Sequence, residues 1–450
     1  MCVPEAWRVA WGPLCVGVLI TLAPLSALAD ESRVDERSVE ERSAHFQTTY
    51  IAQTKPPFPA LYSGRNSLRA DRERSYTFSA TAYLGLRPWS GAELYFNPEA
   101  VQGVALSSVT GLGGFTNGEM QKASGGELKL YRARLFIRQA WALGGGGERV
   151  ESGANQLAGV TATERLVLTA GNLATNDIFG TGQYLGDART KFLNWTFLTY
   201  GAYDYAADLR GYSWGGALEY VSGNYTWRAG RFLQPKQSNG QQLDPHIFRL
   251  HGDQVELERR HELLGRPGKL QWLAYRNVAR MANFSDALAF GASAATTPDL
   301  EPVRKVQSKV GIGAGFEQGL TRDVGMFARY SRHDGKTETY SFTEIDESLS
   351  TGVLVKGASW GRSGDTVGLA GARNRLSRSH RDYLAAGGAT FFLGDGRLNY
   401  RPESIFESFY NVTLGKATSV AVDWQRIANP GYNTDRGPVK VASVRLHLEF

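Results

Sequence analysis

From His45 to the end of the chain, apolar and polar residues alternate in short runs. Tyr76, Phe78, Ala80, Ala82, Leu84 and Leu86 alternate with Thr77, Ser79, Thr81, Tyr83, Gly85 and Arg87, which puts one apolar and one mostly polar row on opposite faces of an extended chain. The run is about 11 residues long, the length a tilted strand needs to cross a bilayer. The same pattern recurs at Ala92, Leu94 and Phe96 against Glu93, Tyr95 and Asn97, and at Tyr131, Ala133, Leu135 and Ile137 against Arg132, Arg134, Phe136 and Arg138. Further runs cover 45–53, 164–172, 201–210, 212–222, 224–232, 252–262, 268–277, 309–318, 324–333, 352–360, 364–373, 403–414 and 417–428. The last run, with Val444, Leu446, Leu448 and Phe450 opposing Arg445, His447 and Glu449, stops on an aromatic residue.

These runs predict an all-β chain, a transmembrane antiparallel β-barrel. They amount to an odd number of strands, seventeen, whereas a single-chain bacterial barrel closes with an even number. Either 16 or 18 strands are expected, and one run is spurious or one is missing. Gly265-Arg266-Pro267-Gly268 reads as a tight turn, whereas 100–130, 173–200 and 283–308 are long and rich in Gly, Ser, Ala and Asn. Residues 101–127 are too apolar in part for a solvated loop and are expected to fold into the mouth of the barrel.

Composition sharpens this picture. The chain has 52 glycines, 21 Phe, 20 Tyr and 10 Trp, yet only 42% hydrophobic residues, and its mean hydropathy is negative. A helical membrane protein would be far more apolar, whereas a barrel needs apolar residues only at alternate positions. Residues 1–29 carry one arginine, Arg8, then an apolar stretch to about Leu25 and Ala27-Leu28-Ala29. This reads as a signal peptide cleaved after Ala29 and implies export to the bacterial outer membrane. Residues 30–44 form a charged periplasmic leader, so the barrel is expected over 45–450. Both cysteines, Cys2 and Cys15, precede the cleavage site, which suits passage through an oxidising compartment. The formal charge of +6 is spread along the strands, not clustered in an arm or helix, so no nucleic-acid partner is expected.

Catalytic signals are weak. Gly357-Ala358-Ser359-Trp360-Gly361 matches a nucleophile elbow as text but lacks the strand–turn–helix setting that exposes the serine. The alternating glycines Gly311, Gly313 and Gly315 have no surrounding βαβ unit and read as small lumen-facing residues. His45, His246, His251, His261, His333, His380 and His447 show no metal-ligand spacing. No catalytic residue, cofactor or metal is assigned, and the chain is read as a non-enzyme.

The chemistry the pattern does carry is that of a pore. Arg132, Arg134 and Arg138 are expected on one inward face, opposite Glu93, Asn97 and Glu99 on the strand before. Opposed charges across a water-filled lumen offer a row of donors and acceptors to polar solutes. Guanidinium forks can pair with vicinal hydroxyls, and Tyr95 and Trp195, with Tyr83 and Phe136, are candidate platforms for sugar rings. A general or anion-preferring pore, in which the arginines only filter charge, is the alternative; an outer-membrane barrel enzyme is a more distant one.

Several runs resemble the carbohydrate-selective outer-membrane porins. They include Thr81–Glu99, Tyr131–Gln139, Gly201–Gly215, Gly265–Leu270, His380–Gly388, Gly394–Tyr400 and Ala428–Val439. The resemblance runs from about His45 to Phe450. It implies a 16-stranded barrel that passes glucose-like sugars by passive diffusion through an arginine-bearing constriction. The expected partners are sugars in transit, outer-membrane lipid and further copies of the chain in a homotrimer.

Overall fold

The computed structural model describes residues 39–450 except 121, 123, 124 and 343. The export segment with its cleavage site at Ala29, both cysteines, and the leader as far as Ser38 lie outside the described residues. Among the described residues no helix is long and apolar enough to cross a membrane. The crossing is made by strands.

Sixteen antiparallel strands close into one barrel: β1 (Arg42–Lys55), β2 (Glu73–Leu86), β3 (Ala92–Val104), β4 (Gly125–Val150), β5 (Gly159–Leu173), β6 (Ser213–Ser222), β7 (Tyr225–Leu233), β8 (His251–Leu263), β9 (Arg266–Met281), β10 (Lys305–Gly319), β11 (Val324–His333), β12 (Glu347–Gly357), β13 (Arg362–Arg375), β14 (Glu403–Leu414), β15 (Thr418–Ala428) and β16 (Val439–Glu449). Each pairs with its neighbours in sequence, and β16 returns to β1 in the register Gln47↔Glu449. The seam is finished by reciprocal backbone bonds, Phe46 N–H to Phe450 O at 3.0 Å and Phe450 N–H to Phe46 O at 2.8 Å. The two phenyl rings stack with centroids 6.4 Å apart. Closure leaves no free edge whose amides and carbonyls would face lipid unpaired.

Period two decides which side chains see lipid. On β2, Ser75, Thr77, Ser79, Thr81 and Tyr83 are buried toward the lumen, while Leu84 and Leu86 on the other row are exposed. On β16, Arg445 and His447 point in and Val444 and Leu446 point out. Gly311, Gly313 and Gly315 are buried on the inner row of β10, where a side chain would run into the rings of Tyr275 and Tyr200.

The strands are joined by tight connections at one end and long ones at the other, except that the β4–β5 hairpin is long at the tight end. Long-loop termini carry two short helices, α1 (Phe284–Ala294) and α2 (Arg378–Ala385). In single-chain outer-membrane barrels the tight turns face the periplasm and the long loops face outward.

The sequence reading is corrected at four places. The run at 201–210 is not a strand; it belongs to the long connection 174–212, which threads the lumen. Its alternation arises because Tyr203 and Tyr205 pack in an aromatic cluster while Asp204 pairs with Lys309 at 2.8 Å, all of them buried inside the barrel. The tight turn is Leu264-Gly265, both with positive φ, so Arg266 and Pro267 already belong to β9. The first strand begins at Arg42, ahead of the visible alternation, because Arg42 still pairs with Leu86.

The fourth correction is a β-bulge in β4. Asn97 pairs with Arg134 and Pro98 with Arg132, leaving Ala133 as an extra residue. Proline has no N–H for the ladder, so a strand position opposite one is where a bulge is tolerated. The extra residue reverses the parity of β4: Tyr131 points in and Arg132 points out, yet Arg134, Phe136 and Arg138 point in again.

Two measurements check this register. Replacing the outward Leu446 with arginine should destabilise the barrel by roughly 2–4 kcal/mol if it sits near the bilayer midplane, seen as an earlier urea midpoint in lipid vesicles. Deleting Phe450 removes a ring stack and a pair of backbone bonds at the seam, and is expected to lower the fraction of chain that shows heat-modifiable migration in outer membranes.

Candidate functional site

The lumen is largely filled by two connections. Residues 105–120, between β3 and β4, and 174–212, between β5 and β6, run inside the barrel, and 111–120 are buried throughout. Loop backbone placed there loses its water, so its amides and carbonyls need partners from the wall. The inward row supplies them. Glu403 accepts from Gly113 N and Gly114 N at 3.1 Å. Glu407 accepts from Leu193 N at 2.5 Å and Asn194 N at 2.9 Å. Gln53 and Gln425 both donate to Thr116 O, at 3.0 and 2.8 Å.

Across the barrel, Glu256 takes Gly180 N at 2.7 Å and Glu317 takes Gln183 N at 2.9 Å. Arg329 donates to Gly180 O at 2.7 Å and Thr181 O at 2.8 Å. Arg445 donates to Ala188 O at 2.8 Å and Lys191 O at 2.6 Å. The inner wall is therefore a set of clamps, and the loops they hold narrow the pore.

Between the loops and the wall a polar cavity of about 360 Å³ stays open, a constriction of the lumen lined by Gln47, Tyr83, Glu119, Lys122, Arg134, Asp177, Asp187, Arg189, Trp195, Tyr205, Arg210 and Tyr212. Its charges are organised around Glu99, which is fully buried behind the rim. Glu99 accepts from Arg189 Nη2 at 2.7 Å, Thr81 Oγ1 at 2.6 Å and Tyr212 Oη at 3.2 Å, and also from the Tyr131 hydroxyl. Arg189 reaches Glu119 as well, at 2.9 Å, and Lys122 lies 3.4 Å from Glu119. Arg134 grips Asp177 with two bonds of 2.7 Å.

Cations lie over aromatic faces around this space. Arg134 and Lys122 stand 5.3 and 5.4 Å from the Tyr212 ring centre, and Arg210 stands 4.2 Å from that of Tyr131. Trp195 is stacked on Tyr205 at 6.3 Å and 13°. Burial opposes charge on Lys122, but Glu119 and Glu99 outweigh it and hold the ammonium above the ordinary lysine range. Lys191 shows the reverse: burial dominates and lowers its pKa. Burial, reinforced by Glu99, raises the Tyr212 phenol, which therefore stays a hydrogen-bond donor.

The residues expected from sequence to contact solute fall into three places. Arg134, Glu99 and Trp195 belong to the constriction, Glu99 as a support behind it. Glu93, Tyr95, Asn97 and Arg138 lie nearer the turn end, covered by the connection 151–158, which folds back into the barrel. Asn97 donates to Asn155 Oδ1 at 2.9 Å, Arg138 to Asn155 O at 3.1 Å and to Glu93 at 3.3 Å, and Tyr95 Oη accepts from Leu157 N at 3.1 Å while donating to Glu93 at 2.6 Å. Beside them opens a second cavity of about 920 Å³ that includes Arg87, Arg165 and Glu219.

Arg132 lies apart from both groups. It was expected to line the lumen, but the Ala133 bulge turns it outward, where its guanidinium sits 5.1 Å from the ring of Trp214. Pro98 in the facing strand was the sequence signal for that reversal. Alternation does not single out Lys122, Arg189, Arg210, Glu119, Asp177 or Tyr212: Arg210 and Tyr212 stand at the edges of the 201–210 and 212–222 runs, and the others lie in loops without periodicity. Among the described residues no cluster of three metal-ligating side chains occurs. Gly357–Gly361 forms the tight connection between β12 and β13, with no helix following Ser359 beyond a single turn.

Residues 65–450 match the family model described as carbohydrate-selective porin, OprB family. No curated protein sequence matches the chain. Among solved structures, the chain is similar to that titled the high-pH structure of Pseudomonas putida OprB, with a TM-score of 0.68, 17% identity and coverage of 91% of this chain and 94% of that one. It is also similar to the outer membrane channel DcaP of Acinetobacter baumannii, with a TM-score of 0.51, 9% identity and coverage of 91% and 97%. At these identities the likeness is one of fold.

The clamps can be tested apart from any solute. Glu407→Ala leaves two buried amides without acceptors, each costing about 1–3 kcal/mol. The expected outcome is a barrel that still assembles but releases residues near 193–194, read as faster amide hydrogen exchange there and a larger, noisier single-channel conductance.

Proposed function

The chain belongs to the carbohydrate-selective porins of the OprB family, and from that premise we propose that glucose-like sugars cross the outer membrane by passive diffusion through the 360 Å³ constriction, touching Lys122, Arg134, Arg210, Tyr212 and Trp195 as they pass. The observation that carries the reading is the placement of cations over aromatic faces beside paired carboxylates. A sugar presents both a ring of hydroxyls and a C–H face. Guanidinium N–H groups and carboxylate oxygens match the first, and the parts of the Tyr212 and Trp195 rings that line the cavity match the second.

Transit requires weak contact, since a solute held tightly would block the pore. Hydrogen bonds to charged groups contribute about 1.5–3 kcal/mol each before the cost of ordering the solute. A few of them support millimolar binding, on the order of −4 kcal/mol. Glu93, Tyr95, Asn97 and Arg138 act in this reading at the exit, where they hold the 151–158 connection and border the wider cavity. Export by a signal peptide ending at Ala29, contact with outer-membrane lipid and assembly as a homotrimer belong to the same proposal.

A second reading, an anion-preferring pore, is favoured by one observation. Arg210 and Lys191 line the cavity with no carboxylate paired to them among the described residues. Planar-bilayer currents with and without glucose separate the two. Arg134→Ala is expected to raise ion conductance and weaken glucose block about tenfold, the equivalent of losing one charged hydrogen bond, whereas Arg132→Ala, outside the pore, leaves both unchanged. If Arg134→Ala combined with Arg210→Ala abolishes anion preference and keeps full glucose block, the cations are a charge filter and the sugar reading of this site fails.

A further inference from the structure

The outward face of the barrel carries a shallow apolar groove. Across β8 to β11 a cavity of about 550 Å³ is walled by Val255, Ala274, Val310 and Ile312. A second, of about 530 Å³, shares Val255 and Ala274 with the first and ends against Trp227 and Trp272 toward the turn end. Alanines at 229 and 274, between bulkier outward neighbours, leave the wall recessed there. The two cavities meet at Val255 and Ala274 and form one apolar track that crosses the strands from β6 to β11.

The loop end of this track is guarded by Arg276 and Arg332. Both are exposed on the outward row, and neither makes an ion pair or a side-chain hydrogen bond within the described residues. The three carboxylates near them are already engaged, and Glu347, across from Arg332, is held by Arg375 at 3.0 Å. Asp253 is gripped by Arg231 through bonds of 2.7 and 2.9 Å, and Asp334 accepts from backbone amides of Val310 and Lys336. Arg280, four residues beyond Arg276 on the same row of β9, adds a third outward cation.

A cation on a lipid-facing strand is unfavourable unless an anion or water meets it. Here the cations stand at the loop end of an acyl-sized apolar track. We propose that this groove binds a phosphorylated glycolipid of the outer leaflet, with acyl chains along Val255, Ala274, Val310 and Ile312 and headgroup phosphates on Arg276 and Arg332. Two separated guanidiniums suit a headgroup with more than one phosphate, since arginine pairs bidentately with phosphate oxygens. The orientation is consistent, because the long loops mark the outer side.

The test uses the whole barrel purified in detergent and native mass spectrometry, with four probes: bisphosphorylated lipid A, the same lipid stripped of both phosphates, phosphatidylglycerol and inorganic phosphate. Lipid A is expected to bind, the dephosphorylated lipid and phosphatidylglycerol to bind at least tenfold more weakly, and inorganic phosphate alone to leave no adduct. Arg276→Gln with Arg332→Gln should weaken lipid A binding about tenfold while heat-modifiable migration and glucose block stay unchanged. If the double variant does not assemble, the dephosphorylated lipid on the unaltered protein decides. Equal binding of lipid A with and without its phosphates overturns the proposal. So does equal binding of phosphatidylglycerol, which would make the groove a general anionic-lipid surface, or phosphate adducts without lipid, which would mark an adventitious ion site.

Discussion

The structure depends on satisfying loop backbone inside a membrane. A barrel of sixteen strands is wider than its own side chains can fill, and the space is occupied by polypeptide that has left bulk water. Buried amides and carbonyls without partners are costly. The wall meets this need with inward charged and amide side chains: Glu256, Glu317, Glu403 and Glu407 for amides, Arg329, Arg445, Gln53 and Gln425 for carbonyls. A long side chain on a rigid strand is a suitable clamp, because the strand fixes its root and only the tip must find the loop. The same residues that make the inner row look like the lining of an open channel are thus mostly committed to structure. Only those left over at the constriction remain available to a solute.

This explains how far the sequence could be read. Alternation showed the barrel, its closure at Phe450 and the inward placement of Glu93, Asn97, Arg134 and Arg445, since one buried face and one lipid face make period two a strong constraint. It misled at 201–210, where two environments inside the lumen imitate lipid on one side and water on the other. It also misled at Arg132, where a single extra residue opposite Pro98 reverses parity. The constriction itself was only partly legible. Arg134 and Trp195 were singled out because one lies on a strand and the other is a large aromatic, but Arg189, Lys122 and Tyr212 are placed by loop paths that local pattern does not encode.

The turn end shows the same economy in another form. Loops usually enter a barrel from the long-loop side, yet the 151–158 connection enters from the other end and buries Leu157 against Tyr95 and Phe136. Its backbone is held by the Tyr95 hydroxyl and Arg138, and by Glu40 just ahead of β1, which accepts from Ala158 N at 2.7 Å. Side chains that looked like solute contacts from their alternation with Leu94 and Phe96 therefore serve as supports. The pore is narrowed from both ends, and the wide cavity beside 151–158 lies on the exit side of the constriction.

Pairing at the constriction also sets the strength with which it can hold anything. Arg134 already spends both arms of its fork on Asp177, and Arg189 is shared among Glu99, Glu119 and Thr81. A hydroxyl arriving there competes with an existing bond and gains only the difference, whereas a free guanidinium would bind an anion strongly and release it slowly. Carboxylates beside the cations supply acceptors for the same hydroxyls, so donors and acceptors face the solute together. The cations are themselves held over the rings of Tyr212 and Tyr131, which fixes where their remaining N–H groups point. Such pairing suits neutral polyhydroxylated solutes, while Arg210 and Lys191, without carboxylate partners among the described residues, keep an attraction for anions; many small, interchangeable contacts are the condition for passage instead of capture.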